Sequence, residues 1–288
     1  MLAANTLLFA LVAFAQNQPP VGMILMADSA VQVQRGTART PARLGDLLYA
    51  GDRVTTGTGQ VTFLYCPSSE RLTAKNGMTV ELGPRVANTA GLTRAAAKCA
   101  LPQVALGSES LERVGGMRAR GNPPIPIYLG GTIASNRPTF SWAPFPGTQQ
   151  YRLSLTDADG KVLWEYRGAA PAATYPQTMP ALGEGEFRWE VVAQADGKTL
   201  AEQSAPFTVK SNAELSAVPA ANDAASVFLR ATELENAGYL AEAAAYFRML
   251  RDSNPGDERL SRRLVVLYWN AGLIAAVNDE MSKLGPQK

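Results

Sequence analysis

The last quarter of the chain repeats itself at a fixed interval. Asn236-Ala-Gly238 recurs as Asn270-Ala-Gly272, which lies 34 residues further along the chain. From Ala225 onward the apolar residues recur at helical spacing, and each repeated glycine separates two helical stretches. A helix pair that recurs in this way buries its apolar face on a neighbouring pair, so the repeat strongly constrains the fold of this region.

The repeated pattern resembles the tetratricopeptide repeat, in which two helices and a glycine turn recur about every 34 residues. The positions at which that family packs its helix pair are matched in the first copy by Leu234, Gly238, Ala243, Phe247 and Pro255, and in the second by Tyr268, Gly272, Met281 and Leu284. Val277 departs from the pattern, because a small residue is usual there, and Gly285-Pro286 ends the second copy. We expect two tetratricopeptide-like repeats over residues 224–285.

In that family the first helix of each pair forms the inner face. The register of the resemblance assigns this face, and with it the candidate partner-binding residues, to Phe228, Thr232, Glu235, Arg262, Val266 and Trp269. An aromatic residue together with arginine is typical of interface hot spots. Trp269 has a second interpretation, in which it covers the open end of the stack. Because two repeats bury little surface, their remaining faces should pack on the preceding β module, on another copy or on a partner.

Residues 43–66 predict a compact β unit with tight corners. Gly45-Asp46 and Gly51-Asp52 are turn signals, because glycine adopts backbone angles closed to other residues and aspartate bonds its own backbone. Asn76-Gly77 predicts a two-residue hairpin turn. The strand before Pro67 alternates, with Val61, Phe63 and Tyr65 on one side and Thr62, Leu64 and Cys66 on the other.

These corners carry a second resemblance. Leu44-Gly-Asp46, then Gly51-Asp-Arg-Val-Thr-Thr-Gly57 and a strand, are similar to the FecR domain of bacterial envelope proteins. Val33-Gln-Arg-Gly36 and Leu72 extend the match, which covers about residues 21–83. The resemblance implies a β fold and an envelope location more firmly than a function, because the domain also occurs in envelope proteins that have no role in iron-transport signalling.

Residues 137–210 predict an immunoglobulin-like β-sandwich. Alternating strands are predicted at residues 151–156 and 186–193, with hairpin turns at Asp159-Gly160 and Asp196-Gly197. The patterns Pro-x-Phe-x-Trp at 138–142 and Gly-x-Phe-x-Trp-x-Val at 185–191 resemble the immunoglobulin-like or fibronectin type III-like modules of bacterial envelope proteins. Trp142, Trp164 and Trp189 are a candidate sugar-stacking platform; the alternative is that two of the three belong to the core.

Residues 84–136 are predicted to connect the two β modules, and residues 211–223 to link the sandwich to the helices. Thr93–Lys98 is either one helical turn or a loop beside a strand, Ser108–Val114 is a candidate short helix, and Asn122–Pro126 is an extended hinge. Between residues 85 and 120 the net charge is +4. This excess is either a solvated connector or a surface for an anionic partner such as cell-wall polymer or lipid headgroups.

The N-terminal residues 1–15 are predicted to be a signal peptide. Residues 2–15 are apolar apart from Asn5 and Thr6 and end in the small-x-small pattern Ala13-Phe14-Ala15, although no basic residue precedes them. The alternatives are an uncleaved anchor or a core strand. Cleavage would leave no membrane span and an exported protein, in the periplasm or at the cell surface. In an exported chain, Cys66 and Cys99 predict a disulfide; the alternative is two buried free thiols.

The composition argues against several classes of function. A net charge of +2 without a clustered basic face gives no basis for nucleic-acid binding. The absence of histidine removes the commonest general base and a frequent metal ligand. Asp157-Ala-Asp-Gly160 resembles the start of a calcium loop, but Gly168 stands where the bidentate carboxylate is needed. We predict no catalytic, cofactor or metal site.

The sequence therefore predicts a multidomain, mainly β protein: a FecR-like β domain, an immunoglobulin-like β-sandwich and a C-terminal all-α pair of tetratricopeptide-like repeats. The expected function is that of a non-enzymatic, exported cell-envelope scaffold or adaptor, which binds a protein partner through its helical repeats. Self-association is compatible with this expectation. The alternatives are a FecR-type signal sensor and a cell-wall glycan binder.

Overall fold

A computed structural model describes residues 18–109, 111, 124–217 and 223–284. The predicted signal peptide and residues 112–120 of the connector, with its three last basic residues, lie outside the described residues. The chain divides into two compact units, Met1–Leu101 and Pro102–Lys288. The predicted connector is therefore not a separate element, because its first part belongs to one unit and its second part to the other.

The described part of the first unit is built from two antiparallel sheets. Its strands are β1 (Gly22–Ala27), β2 (Gln32–Arg35), β3 (Ala38–Pro41), β4 (Leu47–Leu48), β5 (Arg53–Thr55), β6 (Gln60–Tyr65), β7 (Glu70–Lys75), β8 (Thr79–Glu81) and β9 (Thr93–Ala96). One sheet has the order β4-β1-β6-β7-β9 and the other β3-β2-β5-β8. Apolar residues from both sheets, among them Ile24, Val54 and Phe63, form one core.

The disulfide of the first unit follows from its strand order. The segment before Cys99 is the edge strand β9, which pairs with β7, so the helical-turn alternative for Thr93–Lys98 is wrong. Because β7 pairs in turn with β6, β9 returns the chain to the end of β6, where Cys66 begins a short 3-10 turn. The predicted disulfide between Cys66 and Cys99 is confirmed.

The second unit contains a β-sandwich, as predicted. Its strands are β10 (Gly131–Ile133), β11 (Thr139–Ser141), β12 (Gln150–Asp157), β13 (Val162–Gly168), β14 (Ala172–Thr174), β15 (Gly185–Ala195) and β16 (Lys198–Val209). A five-stranded sheet, β10-β16-β15-β12-β13, faces the β11-β14 pair. The Phe140 ring of the small sheet lies 5.1 Å from the Trp189 ring and 5.9 Å from the Phe207 ring of the large sheet, so this contact joins the two layers.

A short helix, α1 (Ala213–Ser216), lies in the predicted linker, and a bundle of four helices follows. The four are α2 (Ala224–Asn236), α3 (Leu240–Ser253), α4 (Glu258–Asn270) and α5 (Ile274–Lys283). Helices α2 and α4 begin 34 residues apart, as do α3 and α5, so the sequence period is the period of the helix pairs. Gly238 and Gly272 follow α2 and α4 with φ of 85° and 74°, a conformation that favours glycine and ends each helix.

Three of the four helices are joined by a buried carboxylate as well as by apolar packing. Glu280 on α5 accepts hydrogen bonds from Arg251 on α3, at 2.6 Å for one contact, and from Ser261 on α4 at 2.8 Å. Asp223 and Asp257 cap α2 and α4 by accepting from the backbone nitrogens of Ser226 and Arg259. None of the helices in the described residues is both long and apolar enough to cross a membrane.

Candidate partner-binding face of the helical region

Helix α4 is buried along most of its length and keeps one stripe partly exposed. Its buried residues are Leu260, Ser261, Arg263, Leu264, Val265, Leu267 and Tyr268. Between them, Arg262, Val266 and Trp269 are half-buried. Steps of four and three residues place these three side chains on one side of the helix. We call Arg262, Val266 and Trp269 the α4 stripe; it contains the three candidate binding residues predicted for the second repeat.

The candidates predicted for the first repeat are placed differently. Phe228 is 1% exposed and its ring packs edge-on against Phe247 at 5.7 Å. Thr232 is fully buried, and its hydroxyl donates to the Phe228 carbonyl oxygen at 3.0 Å. The prediction that these two side chains line an accessible face is therefore wrong, because both lie in the core. Glu235 is half-buried and is bound by an arginine of α4.

That arginine, Arg263, connects three segments of the second unit. Its Nε lies 2.9 Å from Glu109 Oε1, and its Nη1 donates to Glu235 Oε1 at 3.1 Å. Its Nη2 donates to the carbonyl oxygen of Val104. The Arg263 and Glu109 side chains are only 3% and 2% exposed, so the ion pair is buried. We call residues 102–109 together with Leu111 the strap, because this segment lies against α4 and supplies the carboxylate and the carbonyl oxygen that Arg263 meets.

A glycine lets the strap approach α4 closely. A Cβ atom on Gly107 would lie 2.7 Å from Arg259 Cγ, and Gly107 has φ of +91°. A larger residue is therefore disfavoured both by the overlap with Arg259 and by the backbone conformation. The Gly107 nitrogen donates to Glu109 Oε2 at 2.7 Å, which orients the carboxylate that meets Arg263. Ser108 and Glu109 are not helical, and most of the other residues of the predicted helix Ser108–Val114 lie outside the described part of the chain.

The second helices of the two pairs contact the sandwich. On α3, the Glu242 carboxylate accepts from the backbone nitrogens of Ala134 and Ser135 at 2.7 and 2.9 Å. On α5, Asp279 accepts from the Tyr128 hydroxyl at 3.0 Å. The Arg248 guanidinium lies 4.1 Å from the centre of the Tyr128 ring. These contacts fix the helices to the sandwich through α3 and α5, whereas the strap contacts α4 through Arg263 and Arg259.

Burial raises the pKa of two carboxylates in the helical region, Glu235 on α2 and Glu242 on α3. Desolvation raises the pKa of Glu235; the Arg263 charge opposes this change and the neighbouring Glu109 carboxylate adds to it. Desolvation also raises the pKa of Glu242, against the two backbone amides that it accepts from. Glu235 and Glu109 thus compete for one guanidinium, which leaves the site with one negative charge in excess when all three groups are ionised.

Asp52, at the Gly51-Asp52 turn of the first unit, stabilises the structure around that turn. Its carboxylate is 1% exposed and accepts from Arg35 Nε and Nη2, each at 2.8 Å, and from the Tyr49 nitrogen at 2.9 Å. The Arg35 guanidinium also lies 4.2 Å from the centre of the Tyr49 ring. The Gly51-Asp52 step is therefore a buried turn that ties β2 to the chain before β5.

The other candidate sites have structural explanations. Trp142 and Trp189 are 2% and 0% exposed, which confirms the alternative that two of the three tryptophans are core. Asp157 Oδ1 accepts from the nitrogens of Asp159 and Lys161, as expected of a hairpin turn. Among the described residues no cluster of cysteine, aspartate and glutamate could hold a metal ion.

Comparisons with known proteins give little beyond the fold. No family model matches the chain, and no curated protein matches it. The crystal structure of FN3tt is similar with a TM-score of 0.26 and 11% identity, over 31% of this chain and 97% of that one. The FN1-FN3 domains of chicken CNTN1 are similar with a TM-score of 0.23 and 11% identity, over 68% of this chain and 64% of that one. These distant likenesses are to fibronectin type III domains, and they carry no functional information.

The residues that the sequence did not indicate are Glu109, Arg263 and Glu242. Each is a charged residue whose partner lies on another segment, 107 or more residues away in three of the contacts. Glu109 and Arg263 are buried and Glu242 is half-buried. Arg263 stands next to the predicted Arg262, and a buried position for it is implied by the apolar spacing of α4. The signal available in the sequence was thus a charged residue, Arg263, at a position where the apolar spacing of α4 predicts a buried side chain.

Proposed function

We propose that the protein is a non-enzymatic, exported scaffold or adaptor of the bacterial cell envelope, and that it binds a protein partner through its C-terminal helices. In this proposal the four helices are two tetratricopeptide-like repeats and the first unit is a FecR-like domain. The observation that carries it is the α4 stripe, where arginine, valine and tryptophan remain partly exposed on a helix most of whose residues are buried.

The composition of the α4 stripe supports partner binding. Arginine and tryptophan dominate interface hot spots, because they bury a large area and add a charge or a hydrogen-bond donor. The sandwich holds α3 and α5, the two helices that flank α4, through Glu242 and Asp279. A stripe on helices that are already fixed loses little conformational entropy when a partner binds.

The disulfide supports export. A bond between Cys66 and Cys99 persists in oxidising compartments such as the periplasm and is rare in the cytosol. It agrees with the interpretation of residues 1–15 as a signal peptide, and it supports the proposed location of the mature chain in the periplasm or at the cell surface.

The test compares two variants of the full exported chain in crosslinked envelope fractions. Arg262→Ala combined with Trp269→Ala should reduce recovery of the specific partner at least about tenfold, because a lost hot-spot pair costs about 2 kcal/mol or more. Met249→Ala on α3 is the matched control, since Met249 is 49% exposed. It should leave recovery unchanged. Equal recovery with both variants, at equal melting temperatures, would contradict binding through the α4 stripe.

A further inference from the structure

The strap is bound to the helices as a separate peptide would be. Polar and close contacts with α4 include one carboxylate, one backbone carbonyl and one glycine: Glu109 and Val104 meet Arg263, and Gly107 meets Arg259. No residue of the described strap belongs to a helix or strand. Its internal bonds are local, such as Ser108 nitrogen to Ala105 carbonyl at 3.1 Å. Detaching the strap would therefore break no regular secondary structure.

The charges around Arg263 on α2 and α4 allow the strap to dissociate. Without Glu109, Arg263 keeps its hydrogen bond to Glu235 on α2, so no buried guanidinium is left without a carboxylate. With Glu109 in place, two carboxylates share one guanidinium, and their repulsion opposes docking of the strap. The free face would thus retain an Arg263–Glu235 pair with room on Arg263 for one more acidic group.

We propose that the α2–α4 face around Arg263 is a binding site for an acidic protein segment, and that the strap is its intramolecular occupant. A partner segment that presents a glutamate or aspartate carboxylate to Arg263 Nε competes with Glu109 for this position. A small residue two positions before the carboxylate corresponds to Gly107, which passes Arg259. This inference goes beyond the proposed function, since it concerns Arg263 and Arg259 and not the α4 stripe.

Because the strap is covalently connected to the helices, a competing acidic segment must bind the site tightly to displace it. The strap belongs to the same chain as α2 and α4, so it is covalently held near its site. A tethered segment acts at a high effective concentration, of order millimolar for a short flexible link. A free acidic peptide should therefore bind the intact chain weakly, and it should bind much better once the strap is loosened.

The experiment uses a fluorescent peptide with the sequence of residues 102–111 and the full oxidised chain. Gly107→Val in the chain loosens the strap, because its side chain would overlap that of Arg259. Fluorescence anisotropy should show at least about tenfold tighter peptide binding to this variant than to the wild type. Gly256→Val is the matched control, since a Cβ at Gly256 meets no atom within 4 Å, and it should bind the peptide as the wild type does.

The chemistry of the site is tested on the same Gly107→Val chain. A peptide in which Glu109 is replaced by glutamine should bind at least about tenfold more weakly, because the buried ion pair with Arg263 is lost. If the loosened chain binds the original peptide no better than the wild type does, or binds the glutamine peptide equally well, the proposal is wrong.

A second variant covers the case in which Gly107→Val does not fold. Glu109→Gln in the chain weakens the strap without adding volume and should give a smaller gain of peptide binding. Hydrogen exchange of the wild type should show the Gly107 and Ser108 amides exchanging faster than the amides of α4. Exchange of the strap and α4 at the same rate, together with no gain of binding, would show that the strap is a permanent part of the fold and would overturn the proposal.

Discussion

The two units bury carboxylates in different ways. Asp52 in the first unit is bound by Arg35 and by the backbone of Tyr49, which lie 17 and 3 residues away in the chain. In the second unit, Glu242 binds a backbone 108 residues away, and Arg263 binds the Val104 carbonyl 159 residues away. The first unit is thus held at its corner by nearby residues, whereas the second depends on polar contacts between remote segments.

This difference predicts how far the effect of a substitution should spread through each unit. A change at Asp52 should loosen one corner of the first unit, because its partners belong to the same turn and the adjacent strand. A change at Arg263 should affect α2, α4 and the strap together, because this guanidinium of α4 binds Glu235 of α2 and also Val104 and Glu109 of the strap. Three substitutions sharpen or break this contrast.

The largest effect is expected from Arg263→Ala. This substitution leaves the buried Glu109 and Glu235 carboxylates without their cation, and breaking a buried pair in this way costs about 3–5 kcal/mol. Chemical denaturation followed by tryptophan fluorescence measures the loss in free energy of unfolding. Arg262→Ala is the control and should cost less than about 1 kcal/mol, because its side chain is half-buried. Equal effects of the two substitutions would show that the Arg263 network does not hold the second unit.

A smaller and local effect is expected from Asp52→Ala. The Tyr49 nitrogen loses its acceptor, which costs about 1–3 kcal/mol, whereas the Arg35 side chain is already 53% exposed and can turn to water. Hydrogen exchange should show faster exchange around the Gly51-Asp52 corner and no change in the helices. Asp46→Ala, at the less buried Gly-Asp step, should have a weaker effect. Faster exchange throughout the helices would contradict the local role of Asp52.

The smallest effect, and the one that depends on pH, is expected from Glu235→Gln. The pKa of Glu235 is raised in the folded chain, so its contribution to stability is present below its ordinary value of 4.5 and is lost as the pH rises through the folded pKa. Glutamine does not titrate. The stability of the variant relative to the wild type should therefore increase as the pH is raised above about 4.5.

Denaturant titrations at several pH values measure this difference. Repeating them in the Glu109→Gln background should give a weaker pH dependence, because the Glu109 carboxylate contributes to the raised pKa. A relative stability that stays constant or falls with increasing pH would contradict the account of Glu235.

The features that could be predicted from the sequence are turns and the repeat period of the helices. The Gly-Asp corner at Asp52, the hairpin at Asp159-Gly160 and the 34-residue helix period each depend on neighbouring residues, and each was recognisable from type and spacing. The disulfide could be predicted because the chain holds two cysteines. The β9 strand was ambiguous, since Thr93–Ala96 is rich in alanine and pairs only through its place beside β7.

The polar contacts of the helical region could not be predicted in this way. Nothing in the spacing of Glu109 and Arg263 indicates that they meet, because the fold of the whole second unit brings them together. Phe228 and Thr232 were assigned to an open face from the register of a resemblance, but both lie in the core, where Phe228 packs against Phe247 of α3. The α4 stripe and Glu235 keep the partial exposure that the register implied.

The most direct test of the central claim is site-specific photocrosslinking in envelope fractions of cells that produce the protein. A photoreactive residue at Val266, in the centre of the α4 stripe, should capture one specific protein, and the added substitution Arg262→Ala should abolish that product. The same photoreactive residue at Met249 on α3 should not capture it. Capture from Met249 and not from Val266, or capture from Val266 that Arg262→Ala leaves unchanged, would contradict the claim that α4 binds the partner.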